Sequence, residues 1–83
     1  MPIEYGNGQA FFREEVGVEE AEELGRWLQS TAGAELDLSR CTYLHPAIVQ
    51  LLLGSKARVV AWPSAPSWRM WLEAVLRPLH WGR

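Results

Sequence analysis

LDLSRCTYLHPAIVQLLLG, residues Leu36 to Gly54, followed by ARVVAW, residues Ala57 to Trp62, is the stretch that decides the fold. Leu36 to Ser39 alternates apolar and polar, the period of a strand with one buried face. Ser39-Arg40-Cys41-Thr42 reads as the exit of that strand, and Tyr43-Leu44 as a return toward the core. Pro46 suits the first position of a helix, where a missing N–H costs nothing. From Pro46 to Leu53 the chain is apolar almost all round, which predicts a helix buried against a sheet. Gly54 ends it. Ala57 to Trp62 is a β-branched run closed by Pro63, a second strand.

Upstream, QAFFREEV (Gln9 to Val16) predicts another strand, broken by Gly17. Val18, Ala21, Leu24, Trp27, Leu28 and Thr31 then recur at helical spacing, so an amphipathic helix is expected over Val18 to Thr31, with Gly33 as its stop. Downstream, Ser67 suits an N-cap, and Trp68, Trp71, Leu72, Val75, Leu76 and Leu79 form one helical stripe. Trp71 and Leu72 are expected against the sheet, Trp68 half exposed, and Pro78 should stop the helix near Arg77. The order β-α-β-α-β-α implies an α/β domain, a mixed or parallel sheet of about four strands with helices packed on it.

The chain has 83 residues, 48% of them apolar and 22% charged, the balance of one ordinary globular domain over 1–83. A formal charge of -2 argues against a general nucleic-acid binder. The charge is uneven: nine acids and two bases lie before Leu38, and six bases and one acid after it. Six of the acids fall between Glu14 and Glu23. They are either a solvated helix start or an acidic docking face. A single cysteine, Cys41, allows no internal disulfide. No signal-peptide pattern and no apolar run of membrane-spanning length is evident, so a cytoplasmic protein without membrane insertion is expected. Five tryptophans, four of them in the last 22 residues, must close a small core or face a partner.

Asp37, Leu38, Ser39, Thr42, Tyr43, Leu44 and Leu51 to Leu53 carry a resemblance to the STAS domains, the sulfate-transporter and anti-sigma-factor-antagonist family. Those domains have a strand ending Asp-Leu-Ser, a turn, a Thr-aromatic-aliphatic step, and a small-residue loop opening a buried helix. ARVVAWPSAPSWRMWLEAVL resembles the family's next strand, Pro-Ser turn and final helix, and the likeness covers roughly 9–76. It implies a small STAS-like domain, from which the chain departs in leaving room for at most one or two strands before the first helix. It also implies a bacterial regulator that docks on a kinase or ATPase-type protein through the loop and helix start, here Arg40 to Ile48. Within that stretch Arg40, Tyr43, His45, Pro46 and Ala47 are the candidate partner-binding residues. An accessory subunit of a larger ATPase or transport complex, or a nucleotide-binding module, are the alternatives. In bacterial antagonists a loop hydroxyl is phosphorylated. Here the family's Asp is replaced by His45, its hydroxyls by Pro46 and Ala47, and its glycine by Ile48, so the phosphoryl switch is expected to be absent.

Residue chemistry points away from catalysis and cofactors. Cys41 and His45 are four apart, yet no orienting carboxylate or oxyanion hole follows at a recognisable spacing. Zinc on Cys41, His45 and His80 would lack a fourth ligand. Paired Glu14/Glu15 and Glu19/Glu20 point in different directions on either kind of element. Gly6-Asn7-Gly8 leads into no helix, so no phosphate loop is formed. Arg58, Arg69 and Arg77 among tryptophans are the residue types that hold single-stranded nucleic acid, but the helical stripe reads as core instead.

Overall fold

The computed structural model describes residues 2–77. They form one four-stranded sheet, in the order β1 (Ile3–Tyr5), β2 (Gln9–Val16), β3 (Glu35–Leu44) and β4 (Arg58–Ala61). A 3-10 turn at Val18–Glu20 leads into α1 (Ala21–Ser30); α2 (Pro46–Leu53) and α3 (Pro66–Val75) follow β3 and β4. β1 pairs antiparallel with β2, whereas β2–β3 and β3–β4 are parallel, so the sheet is mixed. The hairpin between β1 and β2 turns at Gly8, which has φ +81°, a conformation open to glycine at little cost. This is the small α/β domain that the element order predicts.

Parallel strands added in one direction with right-handed crossovers put their connecting helices on the same side of the sheet. Burial follows that rule. Ala10, Phe12 and Val16 on β2, Leu36, Leu38, Cys41 and Leu44 on β3, and Val59 on β4 are buried. They meet Leu24 of α1, Ile48, Val49 and Leu52 of α2, and Leu72 and Leu76 in and just beyond α3 in one core. Each such aliphatic or aromatic side chain contributes about 1.5–3 kcal/mol when fully buried. The opposite sheet face is polar and carries cross-strand ion pairs: Arg13 to Glu4 at 2.6 Å and Arg58 to Glu35 at 2.7 Å. The Gln9 amide, donating at 2.8 Å, and the Arg58 guanidinium hold the Glu35 carboxyl below its ordinary range.

Several elements differ from their sequence pattern, each for a physical reason. β3 does not exit at Ser39 but runs on to Leu44. Between Asp37 and Arg40 it runs three residues against two on β2, and between Cys41 and Tyr43 two against one, so it bulges twice. The bulges turn the buried positions into Leu38, Cys41 and Leu44, a spacing of three that alternation cannot reveal. The first helix opens as a 3-10 turn with Val18 52% exposed, and Thr31 caps its end in extended conformation. α2 buries only one side; Leu53 is 40% exposed, because a single helix layer leaves its outer face in water. α3 starts at Pro66 after Ala65, not after Ser67, since proline's fixed φ preorganises a first helical position.

Trp71 is the largest correction. It is 49% exposed, whereas its neighbour Leu72 is fully buried. Leu72 and Leu76, four apart, define the buried line of α3, and Trp71 lies about 100° around the helix from Leu72. Its ring stacks on Trp68 instead, with centroids 5.5 Å apart and planes 11° from parallel. Trp68 is half-buried, as expected. The expectations for Pro78, Leu79 and His80 lie outside the described residues. Among the described residues, no helix is long and apolar enough to cross a membrane.

Candidate docking surface at the start of the second parallel crossover

His45 is the junction between β3 and α2, and it is pinned from both sides. Its N–H donates to the Val16 carbonyl of β2 at 2.9 Å, and its carbonyl accepts from Ile48 at 2.8 Å and Val49 at 3.1 Å. Its backbone is extended (φ −60°, ψ 143°), and its imidazole Nδ1 accepts the Ala47 N–H at 3.0 Å. This is an N-cap, satisfying one of the N–H groups that a helix start leaves without a partner. Pro46 at the next position has no N–H to satisfy. A ring accepting at Nδ1 carries no proton there, so the neutral ring's donor is Nε2–H.

Around this junction the surface mixes aromatic and charged groups. Tyr43 is 44% exposed and sits opposite Glu15 in the β2–β3 register. Pro46 is exposed and Ala47 partly so. Beside them, Glu14 adopts φ 55°, a left-handed conformation that costs a non-glycine residue about 1 kcal/mol. It stands at the register shift between Glu14 and Glu15. Arg40 is exposed, opposite Arg13, and has no ion pair with any described residue. Tyr43, near the end of β3, and His45, Pro46 and Ala47, at the start of α2, follow one another along the chain at this junction. Arg40 stands about 10 Å further up the strand from Tyr43.

Ser39 and Cys41 are both engaged by groups of their own strand. Ser39 donates its hydroxyl to Asp37 at 2.6 Å, and its N–H reaches the same carboxylate oxygen at 2.9 Å. Cys41 is buried and its thiol faces the Tyr43 carbonyl at 3.4 Å. Burial pushes that thiol up to about 11, so it carries no thiolate at neutral pH. His45 Nδ1 is already engaged on Ala47, leaving Cys41 and His45 unsuited to act as nucleophile and base. Among the described residues, no three His, Cys, Asp or Glu side chains gather as a metal site requires.

β3 outruns β4: the last paired position is Asp37 with Ala61, and Ser39 to Leu44 have no β4 partner. The β4–α3 connection folds across the gap, and the Trp68 indole N–H donates to the Cys41 carbonyl at 2.8 Å. A cleft of about 170 Å³ lies there, lined by Arg40, Cys41, Thr42, Pro63, Ser64 and Trp68 among others. The strands have ten and four residues, whereas the sequence pattern runs only over Leu36 to Ser39 and over Ala57 to Trp62, so the overhang carried no sequence signal.

Neither a protein-family model nor a curated protein matches the chain.

Proposed function

We propose that this protein is a non-catalytic, STAS-like protein–protein interaction module of the cytoplasm that docks on a kinase or ATPase-type bacterial regulator. The docking surface is Tyr43, His45, Pro46 and Ala47, with Arg40 at its flank. The observation that carries this reading is the capped start of α2. His45 and Pro46 occupy the helix entrance, held by main-chain bonds to β2 and α2, and no hydroxyl stands there to accept a phosphoryl group. A surface with an exposed tyrosine, a histidine and a nearby exposed arginine has the composition of interface hot spots. The strained Glu14 beside it supports the same place, because backbone strain persists where surrounding structure holds it for a purpose. Nucleic acid fits less well: Arg58 and Arg69 are engaged with Glu35 and Glu73.

Affinity purification from the native cell, followed by mass spectrometry, tests this reading. Recovery of a kinase-type or ATPase-type regulator supports it, and a transport ATPase in its place would make the protein an accessory subunit. Incubation with the recovered kinase and ATP should leave Arg40 to Ile48 without phosphate. Stoichiometric phosphate on Ser39 or Thr42 would overturn constitutive docking.

A further inference from the structure

The cleft between the free end of β3 and the β4–α3 connection is chemically different from the docking patch. Its volume of about 170 Å³ slightly exceeds the roughly 150 Å³ that accommodates a benzene ring in a protein interior. Its exposed lining is mostly apolar: Trp68, whose N–H is engaged on the Cys41 carbonyl and whose ring stacks on Trp71, with Ala65 and the edges of buried Cys41 and Pro63. Three polar side chains of the lining, Arg40, Thr42 and Ser64, have no partner among the described residues. Arg40 also lines the neighbouring depression on the open sheet face, with Phe11, Arg13 and Asp37, so it stands on the border between the two. The cleft lies toward the carboxyl end of β4, beyond its last pairing with β3.

We infer that this cleft binds a small aromatic carboxylate, its ring against Trp68 and Pro63 and its carboxylate on Arg40. A planar guanidinium matches a carboxylate through two parallel hydrogen bonds. One arginine balances one negative charge, which suits a carboxylate monoanion and leaves a phosphate dianion under-compensated. Thr42 and Ser64 add hydroxyl donors. The cleft shares Arg40 with the flank of the docking surface, but its test needs no partner protein, so the two readings fail separately.

The test is a titration of the full-length, nitrogen-15-labelled protein with benzoate, benzamide and inorganic phosphate, followed by amide shifts and tryptophan fluorescence. Benzoate should shift the amides of Arg40 to Thr42 and Ser64 to Trp68 saturably, with a dissociation constant in the low millimolar range expected for so few atoms, about 1–5 mM. Benzamide, which keeps the ring and loses the charge, should bind at least about tenfold more weakly. Arg40→Met should weaken benzoate by the same factor, and because Arg40 is exposed its melting temperature should match the parent's. Equal binding of benzoate and benzamide would overturn the assignment. So would benzoate shifts elsewhere, shifts unchanged by Arg40→Met, or phosphate acting as strongly as benzoate.

Discussion

The Trp68 indole N–H donates to the main-chain carbonyl of Cys41 at 2.8 Å, joining the first turn of α3 to the part of β3 that β4 leaves unpaired. The bond answers an accounting question. A strand that outruns its neighbour exposes carbonyls that sheet pairing would have satisfied. Trp68 supplies a donor and covers the gap with an apolar ring.

Trp68→Phe should therefore cost about 1–3 kcal/mol in urea unfolding, from the orphaned carbonyl and the smaller ring. Leu72→Ala, in the core, should cost about 2–5 kcal/mol. Trp71→Ala should cost no more than about 1.5 kcal/mol, the value of its stacking on Trp68 plus a little area. A Trp71→Ala loss as large as that of Leu72→Ala would contradict the exposed placement.

The contrast between Trp71 and Leu72 also shows where the sequence stopped being legible. Helical spacing identified α3, and it identified Trp68, Leu72 and Leu76 as a line of contact. It could not separate Trp71 from that line, because a stripe of large apolar residues is wider than the face one sheet can cover. β3 is the mirror case. Alternation found Leu36 and Leu38, then failed at Arg40, because the two bulges changed the period of burial from two to three. The start of α2 was legible: Pro46 after a polar residue marks a helix start, and an N-cap side chain has few places to point. The cleft at Trp68 was not accessible, since it arises from a difference in strand length and a long-range bond spanning 27 residues.

His45→Ala should lower stability by about 0.5–2 kcal/mol through loss of the cap, and His45→Asn, which restores a capping oxygen, should recover most of it. Thermal unfolding of the two variants side by side checks this. Equal losses would mean the Nδ1 to Ala47 bond is not what the imidazole contributes.

Glu14→Gly should be neutral or stabilising by up to about 1 kcal/mol, because glycine takes the φ of 55° without strain. Glu14→Val should destabilise by more than about 1 kcal/mol, since a β-branched side chain tolerates that conformation least. Chemical denaturation of both variants decides it; a stable valine variant would mean the strand end is free to relax.

Two groups set an alkaline limit. Burial pushes the Cys41 thiol from 9.0 up to about 11, and burial, with Glu23 and Glu20 nearby, pushes the Tyr5 phenol from 10.0 up to about 12. Both are neutral acids in the folded state, so their contribution is complete below the unfolded values and is lost as pH rises through the folded ones. Stability should hold up to about pH 9 and fall between about 9 and 12. Cys41→Ala should remove the lower part of that fall and Tyr5→Phe the upper part. At neutral pH Tyr5→Phe should be close to neutral, within about 0.5 kcal/mol, because the Tyr5 hydroxyl is buried with no partner among the described residues. A large neutral-pH loss would show that the hydroxyl is bonded.

In the proposed function, Tyr43, His45, Pro46 and Ala47 are the surface on which a partner protein docks. The measurement that tests it most directly is calorimetric titration of the purified partner into the parent, Tyr43→Ala and His45→Asn, with melting temperatures as the folding control. His45→Asn is the decisive variant, since it removes the imidazole while keeping the helix cap. Each variant should stay folded and lose about 5- to 30-fold in affinity, the range of about 1–2 kcal/mol for a contributing interface side chain. Parent-like affinity in both folded variants would contradict the docking surface and move the search to the acidic face of Glu19 to Glu23.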